Sequence, residues 1–275
     1  MANVQLLIID PQNDFCDIPG AALPVPGARD DMARLAALIA RSGVEFEAIH
    51  VTLDSHQPLD IAHPGWWCDA DGQAPVPFTV IGEADVRAGR WRARDAASQP
   101  SSLAYVEQLA LRGRYQLVVW PEHCPIGSWG HNVYAPLHAA LSAWSRRTLL
   151  PVNYVMKGMN PGTEHYSAIR AEVPDAADLA TQDNAPLIAR LKLADTVYVA
   201  GEALSHCVAS TVRDLIDAFG PAHTHQLVLL TECMSPVPGF EAQAAAFLQE
   251  ARAQGVRTMT MAEYDQVARP GQGRV

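Results

Sequence analysis

Apolar runs and amphipathic stretches alternate along the chain. Val4–Asp10 (VQLLIID) is continuously apolar and closed by an aspartate, which predicts a central parallel strand with Asp10 at its carboxyl end. Asp30–Ala40 carries apolar residues at helical spacing, with Asp30 as the expected N-cap and Gly43 near the helix end. Further strands are expected at Phe46–Leu53, Tyr115–Trp120, Leu150–Met156, Thr196–Ala200, His225–Glu232 and Val256–Met261. Helical spacing covers Ala104–Leu111, the PLHAALSAW run within Val133–Arg146, Asn184–Leu193, the stretch from Cys207 to Phe219, and Phe240–Ala253. Strands followed by helices predict a three-layer α/β/α sandwich around a mostly parallel, doubly wound sheet of about six strands.

Residues from about 57 to 114 interrupt this rhythm, being rich in Pro, Gly, Asp and Trp. A long excursion between strands is usually a lid or a subunit contact. The expected organisation is therefore one domain over residues 1–275, with a long insertion at about 57–114. Trp66 and Trp67 read as core or interface anchors; placed in an exposed excursion they make a homo-oligomer the expected assembly.

At 275 residues, 49% hydrophobic and 18% charged, the chain has the composition of a globular protein with a substantial core. A net charge of −10 disfavours nucleic acid and anionic membranes and suits a small neutral or cationic substrate. Five cysteines without paired spacing read as reduced thiols, and MANVQLLIID enters the first strand with no basic leader or long apolar run. Neither signal peptide nor membrane span is expected, and the cytoplasm is the expected compartment.

Several strands end in residues that can do chemistry. Asp10, Asp54 and Lys157 each close a strand, and Cys207 follows another where TVYVA turns into a helix. All fall on the carboxyl edge of a parallel sheet, where ligands bind in such folds. A lone strand-end aspartate is more often a helix cap, and a lone cysteine is commonly a small buried hydrophobe. Together, however, a helix N-terminus and a lysine favour a thiolate, and a carboxylate within reach can take the thiol proton. Lys157 and Lys192 are the only lysines in the chain, the other basic residues being arginine, so Lys157 fits a need for an amine. A second set, Asp54-x-His56 with His123, has ligand types suited to a divalent transition metal such as zinc, manganese or iron. His63 and His131 lie near it in sequence, while His138 falls in a helical pattern and is expected on a packed face.

DPQNDFCDIPGAALPVPGA, LDSHQP, WPEHCPIGSWG, MKGMNPGTEHYSA and GEALSHCV resemble, in order, the motif blocks of the isochorismatase-like cysteine hydrolases, and among them most resemble the nicotinamidase branch. The resemblance implies a catalytic triad of Asp10, Lys157 and Cys207 and a metal held by Asp54, His56 and His123. It also implies ring contacts from Phe15 and Trp120 around the substrate, and a cis peptide at Glu202–Ala203. The activity implied is hydrolysis of nicotinamide to nicotinate and ammonia through a Cys207 thioester, with backbone N–H groups of Ala203 and Cys207 holding the oxyanion. No organic cofactor is implied, and the isochorismatase branch proper lacks this metal set. Two features depart from the pattern: the segment between His56 and His123 is long, and Leu204 stands where threonine is usual. The intervening segment offers Asp60 and His63 as candidates for a further ligand. Hydrolysis of another small amide or carbamoyl compound remains a second reading. A non-catalytic binding module is a third, opposed by the presence of Asp10, Lys157 and Cys207 together.

Overall fold

The computed structural model describes residues 2–41 and 46–268. In chain order the body begins with β1 (Val4–Ile9), α1 (Ala28–Arg41) and β2 (Ala48–Asp54). The excursion holds β3 (Trp67–Cys68), β4 (Val80–Ile81), α2 (Glu83–Arg87), β5 (Arg92–Ala93), α3 (Gln99–Arg112) and β6 (Leu117–Val118). The body resumes with α4 (Ala135–Thr148), β7 (Asn153–Lys157), α5 (Ala185–Leu191), β8 (Thr196–Gly201) and α6 (Ala209–Phe219). It closes with β9 (Leu227–Leu230), α7 (Glu241–Ala253), β10 (Arg257–Met259) and α8 (Met261–Ala268).

Six strands form one sheet in the order β10-β9-β8-β1-β2-β7, and every neighbouring pair is parallel. Alternation along β1 explains the layers. Leu6 and Ile8 pack with Met32, Leu35, Leu137 and Leu141 of α1 and α4, whereas Leu7 and Ile9 pack in the core that contains Leu187, Val212, Leu215 and Phe247 of α5, α6 and α7. A strand buried on both faces reads as a near-continuous apolar run, and VQLLII fits, its one polar residue, Gln5, being buried and hydrogen-bonded to His50. Gly201 closes β8 at φ 117°, and a Cβ there would meet the Ile9 carbonyl oxygen at 2.0 Å; only glycine lets the two strand ends come this close.

Several expectations are corrected. Tyr115–Trp120 is not a strand of the main sheet: only Leu117 and Val118 pair, antiparallel to Val80 and Ile81. Its apolar residues are buried instead by the excursion, so burial gave it a strand-like pattern without a place in the sheet. Helix α1 starts at Ala28, which places Asp30 in its first turn rather than at the cap, and Gly43 lies outside the described residues. The excursion holds two short antiparallel ribbons, β3–β5 and β4–β6, and two helices, of which α3 contains the expected Ala104–Leu111. Trp66 and Trp67 are not exposed, being 8% and 0% accessible, with indole N–H groups donating to Ser102 Oγ and the Ile61 carbonyl. They are core residues, which removes the exposed-tryptophan argument for an oligomer. His138 is exposed on α4 rather than packed. Among the described residues no helix is long and apolar enough to cross a membrane, and all five cysteines are free and buried.

Candidate active site

Strand register assembles the first group. Asp54 and Lys157 are paired positions at the ends of β2 and β7, and β1 runs beside β2 and β8, delivering Asp10 and the turn that carries Cys207 to the same edge. Cys207 sits in a single π-type turn, Leu204–Val208, that leads into α6. The Lys157 ammonium is buried and donates to Asp54 Oδ1 at 2.9 Å, to the His165 carbonyl at 2.9 Å and to Cys207 Sγ at 3.6 Å. These occupy its three N–H groups. Asp10 Oδ2 lies 2.9 Å from the same ammonium and forms an ion pair with it. Asp10, Asp54 and Cys207 each place one ligand-type atom within 4.8 Å of the others.

Thr52, two residues before Asp54 on the same face of β2, fixes Asp10. Its hydroxyl accepts from the Asp10 N–H at 3.0 Å and donates to Asp10 Oδ1, while Asp10 adopts φ 43°. Thr52, a polar residue in the buried run of β2, was not singled out from the sequence.

Charge states follow from burial and neighbours. Burial would lower the Lys157 pKa, but Asp10 and Asp54 hold it well above the usual value, so it stays an ammonium. Burial raises the Asp10 carboxyl, with Lys157 opposing and Asp54 adding to the rise. The Cys207 thiol is pushed up by burial more than Lys157 pulls it down, and both carboxylates add to the rise. Burial thus favours the thiol over the thiolate at Cys207, and Asp10 lies within 4.8 Å to receive its proton.

The second group lies directly behind Asp54. Its Oδ2 faces His56 Nε2 at 3.2 Å and His123 Nε2 at 3.3 Å. Carbonyls only accept, so the 2.8 Å contact to the Pro121 carbonyl puts the proton of His123 on Nδ1 and leaves Nε2 for a ligand. Asp60 holds His56 Nδ1 at 3.0 Å in the same way. His56, His63 and His123 each bring one ring nitrogen within 4.8 Å of the others, all three being buried. Of the two candidates for a further ligand, His63 joins the cluster directly, while Asp60 braces His56 from behind. His63 Nδ1 is buried without a partner, and burial with the neighbouring imidazoles pushes its pKa down to about 2. An unprotonated imidazole with an unsatisfied nitrogen, beside two more and a carboxylate, fits a divalent cation.

Between the two groups is a small cavity. Phe15 and Trp120 line it as expected, together with His123, Ala203, Cys207, Leu23 and Val237. Among the described residues no partner for the Ala203 N–H is found, and the Glu202–Ala203 peptide is cis. Three further wall residues were not singled out from the sequence. Tyr166 accepts from Trp120 Nε1 at 3.0 Å, and His206 precedes the cysteine. Glu164 is buried with Oε2 unpartnered, and burial with the nearby Asp54 and Asp60 carries its carboxyl up to about 8 although His56 opposes the rise.

No family model matches the chain, and no curated protein matches it in sequence. Solved structures do. The nicotinamidase pyrazinamidase of Acinetobacter baumanii superposes with a TM-score of 0.63 at 21% identity, covering 96% of this chain and 99% of that one. The yeast nicotinamidase, bound to the inhibitor nicotinaldehyde, gives 0.64 at 17% identity over 94% of this chain and 99% of its own. The Pyrococcus horikoshii pyrazinamidase, in complex with zinc, gives 0.56 at 18% identity over 94% and 99%. Isochorismatase-family proteins superpose as well. The chain therefore has an α/β fold with its candidate site on the carboxyl edge of the sheet. That fold is the one shared by the nicotinamidases and isochorismatase-family proteins.

Proposed function

We propose that the protein is a metal-dependent cysteine amidohydrolase that converts nicotinamide, or a close heteroaromatic carboxamide, to the acid and ammonia. The observation that carries this reading is the cage around Lys157, in which Asp10 and Cys207 share one ammonium beside an aromatic-lined cavity. The neutral amides and zinc of the structurally similar proteins point the same way.

In this reading Asp10 takes the thiol proton, and Cys207 Sγ attacks the carboxamide carbon. Lys157 holds Asp10 and the sulfur at fixed separation and offsets the negative charge. The Ala203 and Cys207 N–H groups hold the oxyanion. Asp10 returns its proton to the departing ammonia, and water then releases the acid from the Cys207 thioester. Asp54, His56, His63 and His123 would hold a divalent metal, zinc being the first candidate, which when bound supplies a Lewis-acid anchor for a ring nitrogen. Phe15 and Trp120 confine the ring and exclude water. Ammonia release from a panel of small amides tests the proposal, with nicotinamide expected as a leading substrate. Glu164 favours a second reading, hydrolysis of another amide or a carbamoyl compound, because its unpartnered carboxyl at the cavity wall suits a substrate with an additional polar group. The same panel separates the two.

A further inference from the structure

A second, larger cavity of about 670 Å³ lies against the first and shares Tyr166 and His206 with it as a common wall. Its size is within the range of small-molecule sites, roughly 300–1,000 Å³. One side is contributed by the excursion, through Val80, Leu109 and Arg114; the other comes from α6 and the start of α7, through Arg213, Phe240 and Gln243. The cavity thus exists because the excursion is folded against the body.

Its chemistry is one-sided. The lining includes two guanidinium groups and no carboxylate, in a chain of net charge −10. Asp214 and Glu250 stand behind these arginines rather than in the cavity: Asp214 Oδ1 takes Arg114 Nη1 at 2.9 Å, and Glu250 takes Arg213 Nε and Nη2. Each terminal guanidinium nitrogen carries two N–H groups, so donors remain beyond these pairs. His206 adds another donor. Ser205 Oγ accepts from the Val237 N–H at 3.1 Å and pairs with His206 Nδ1 at 2.9 Å; in the tautomer where the hydroxyl donates to Nδ1, the histidine proton lies on Nε2. Among the described residues no group pairs with that nitrogen. Burial lowers the His206 pKa to about 4, in keeping with the neutral ring this requires. The walls are flat and aromatic: the His206 ring centroid lies 5.8 Å from Tyr115, nearly parallel at 24°, and 4.6 Å from Phe240.

We propose that this cavity is a second ligand site, built by the excursion against the body, and that it takes a small aromatic carboxylate. Ring faces accept the planar body, and the guanidinium N–H groups that Asp214 and Glu250 leave unengaged accept the anion. Because Tyr166 and His206 belong to both cavities, an acid bound here reports directly on the wall next to Cys207. The inference stands apart from the amidase reading, which ammonia release tests by itself.

Benzoate is the probe, titrated calorimetrically into the full chain, with benzamide as its neutral counterpart. Benzoate is expected to bind saturably and at least about tenfold more tightly than benzamide. Gln243→Glu adds a carboxylate to the lining from an exposed helix position, and Arg213→Gln removes a donor. Each should weaken benzoate about tenfold, while Phe15→Ala, in the other cavity, should leave it unchanged. Absence of saturable binding overturns the proposal. So does equal affinity for benzamide, or binding that Phe15→Ala abolishes and Gln243→Glu does not.

Discussion

Asp54 and Lys157 stand opposite each other at the ends of two paired strands, and their side chains meet at 2.9 Å between Oδ1 and Nζ. The other Asp54 oxygen faces His56 and His123. One carboxylate therefore belongs both to the cage around Lys157 and to the histidine cluster. Burial would raise its pKa, but His56 and Lys157 hold it well below the usual value, so it remains charged toward both neighbours. What binds at the histidines is felt at Lys157 through this single group.

Lys157→Arg keeps the charge and replaces a compact ammonium with a wide planar fork. Three acceptors packed within 2.9–3.6 Å of one nitrogen leave no room for it. Turnover is expected to fall by about a hundredfold or more, the scale of a misplaced catalytic group. Near-normal steady-state turnover would show that the lysine acts only as a charge.

Cys207→Ala should abolish ammonia release while circular dichroism and thermal unfolding stay close to the parent, because Ala fits the small buried site. Iodoacetamide should inactivate in step with labelling of Cys207, the cysteine that lines the cavity, ahead of Cys16, Cys124 and Cys233, which are each 0% accessible. Peptide mapping checks the order, and ordinary turnover by Cys207→Ala would end the covalent mechanism.

Thr52→Val removes both hydrogen bonds to Asp10 with little change of shape. Loss of each buried pairing costs about 1–3 kcal/mol, so both stability and kcat should drop, with KM little changed. Equilibrium denaturation and steady-state kinetics check the pair. A variant with unaltered kcat would mean that Thr52 does not position Asp10.

The metal can be tested through the ring nitrogen. Benzamide has nearly the shape of nicotinamide without that atom, and a site built around a polar partner rejects such an analogue by about 10⁴ or more in kcat/KM. The preference should collapse in the His56→Ala, His123→Ala double variant, and chelation should lower Tm of the parent but not of that variant. Equal hydrolysis of the two amides by metal-loaded protein would remove the nicotinamide assignment and leave the cysteine hydrolase.

His50 gives a pH prediction outside the site. It is buried between Gln5 and Asn153, and burial, with Arg190 adding, lowers its pKa from 6.5 to about 4. The unfolded chain binds its proton below 6.5 and the folded chain only near 4, so between those values the unfolded state holds more protons and stability rises with pH. The contribution is full above that window and is lost as pH falls through it, with a slope of about 1.4 kcal/mol per pH unit at most. Urea denaturation across the window should show His50→Asn with a shallower pH dependence; an unchanged slope would refute the assignment.

Much of this protein was legible before its structure. Near-continuous apolar runs such as Val4–Ile9 mark strands buried on both faces, and parallel neighbours need long crossovers that are usually helical, so the layered fold follows from the pattern. Chemistry at strand ends was readable for the same reason, since parallel strands put their carboxyl ends on one edge. Asp10, Asp54, Lys157 and Cys207 do meet there. What periodicity could not give was burial by something other than the sheet. Leu117, Val118, Trp66 and Trp67 are apolar because the excursion closes over them, and a local pattern does not say which distant surface covers it. The proton balance was equally out of reach: Cys207 is raised because burial and two carboxylates together outweigh one lysine, a sum over groups far apart in the chain. The sequence by itself determined the alternation of strands and helices in the body and the reactive residues at the strand ends. Only the tertiary structure decided which side chains Lys157 holds, that His63 completes the histidine cluster, and that a second cavity exists, because each depends on distances between segments that the chain brings together only on folding.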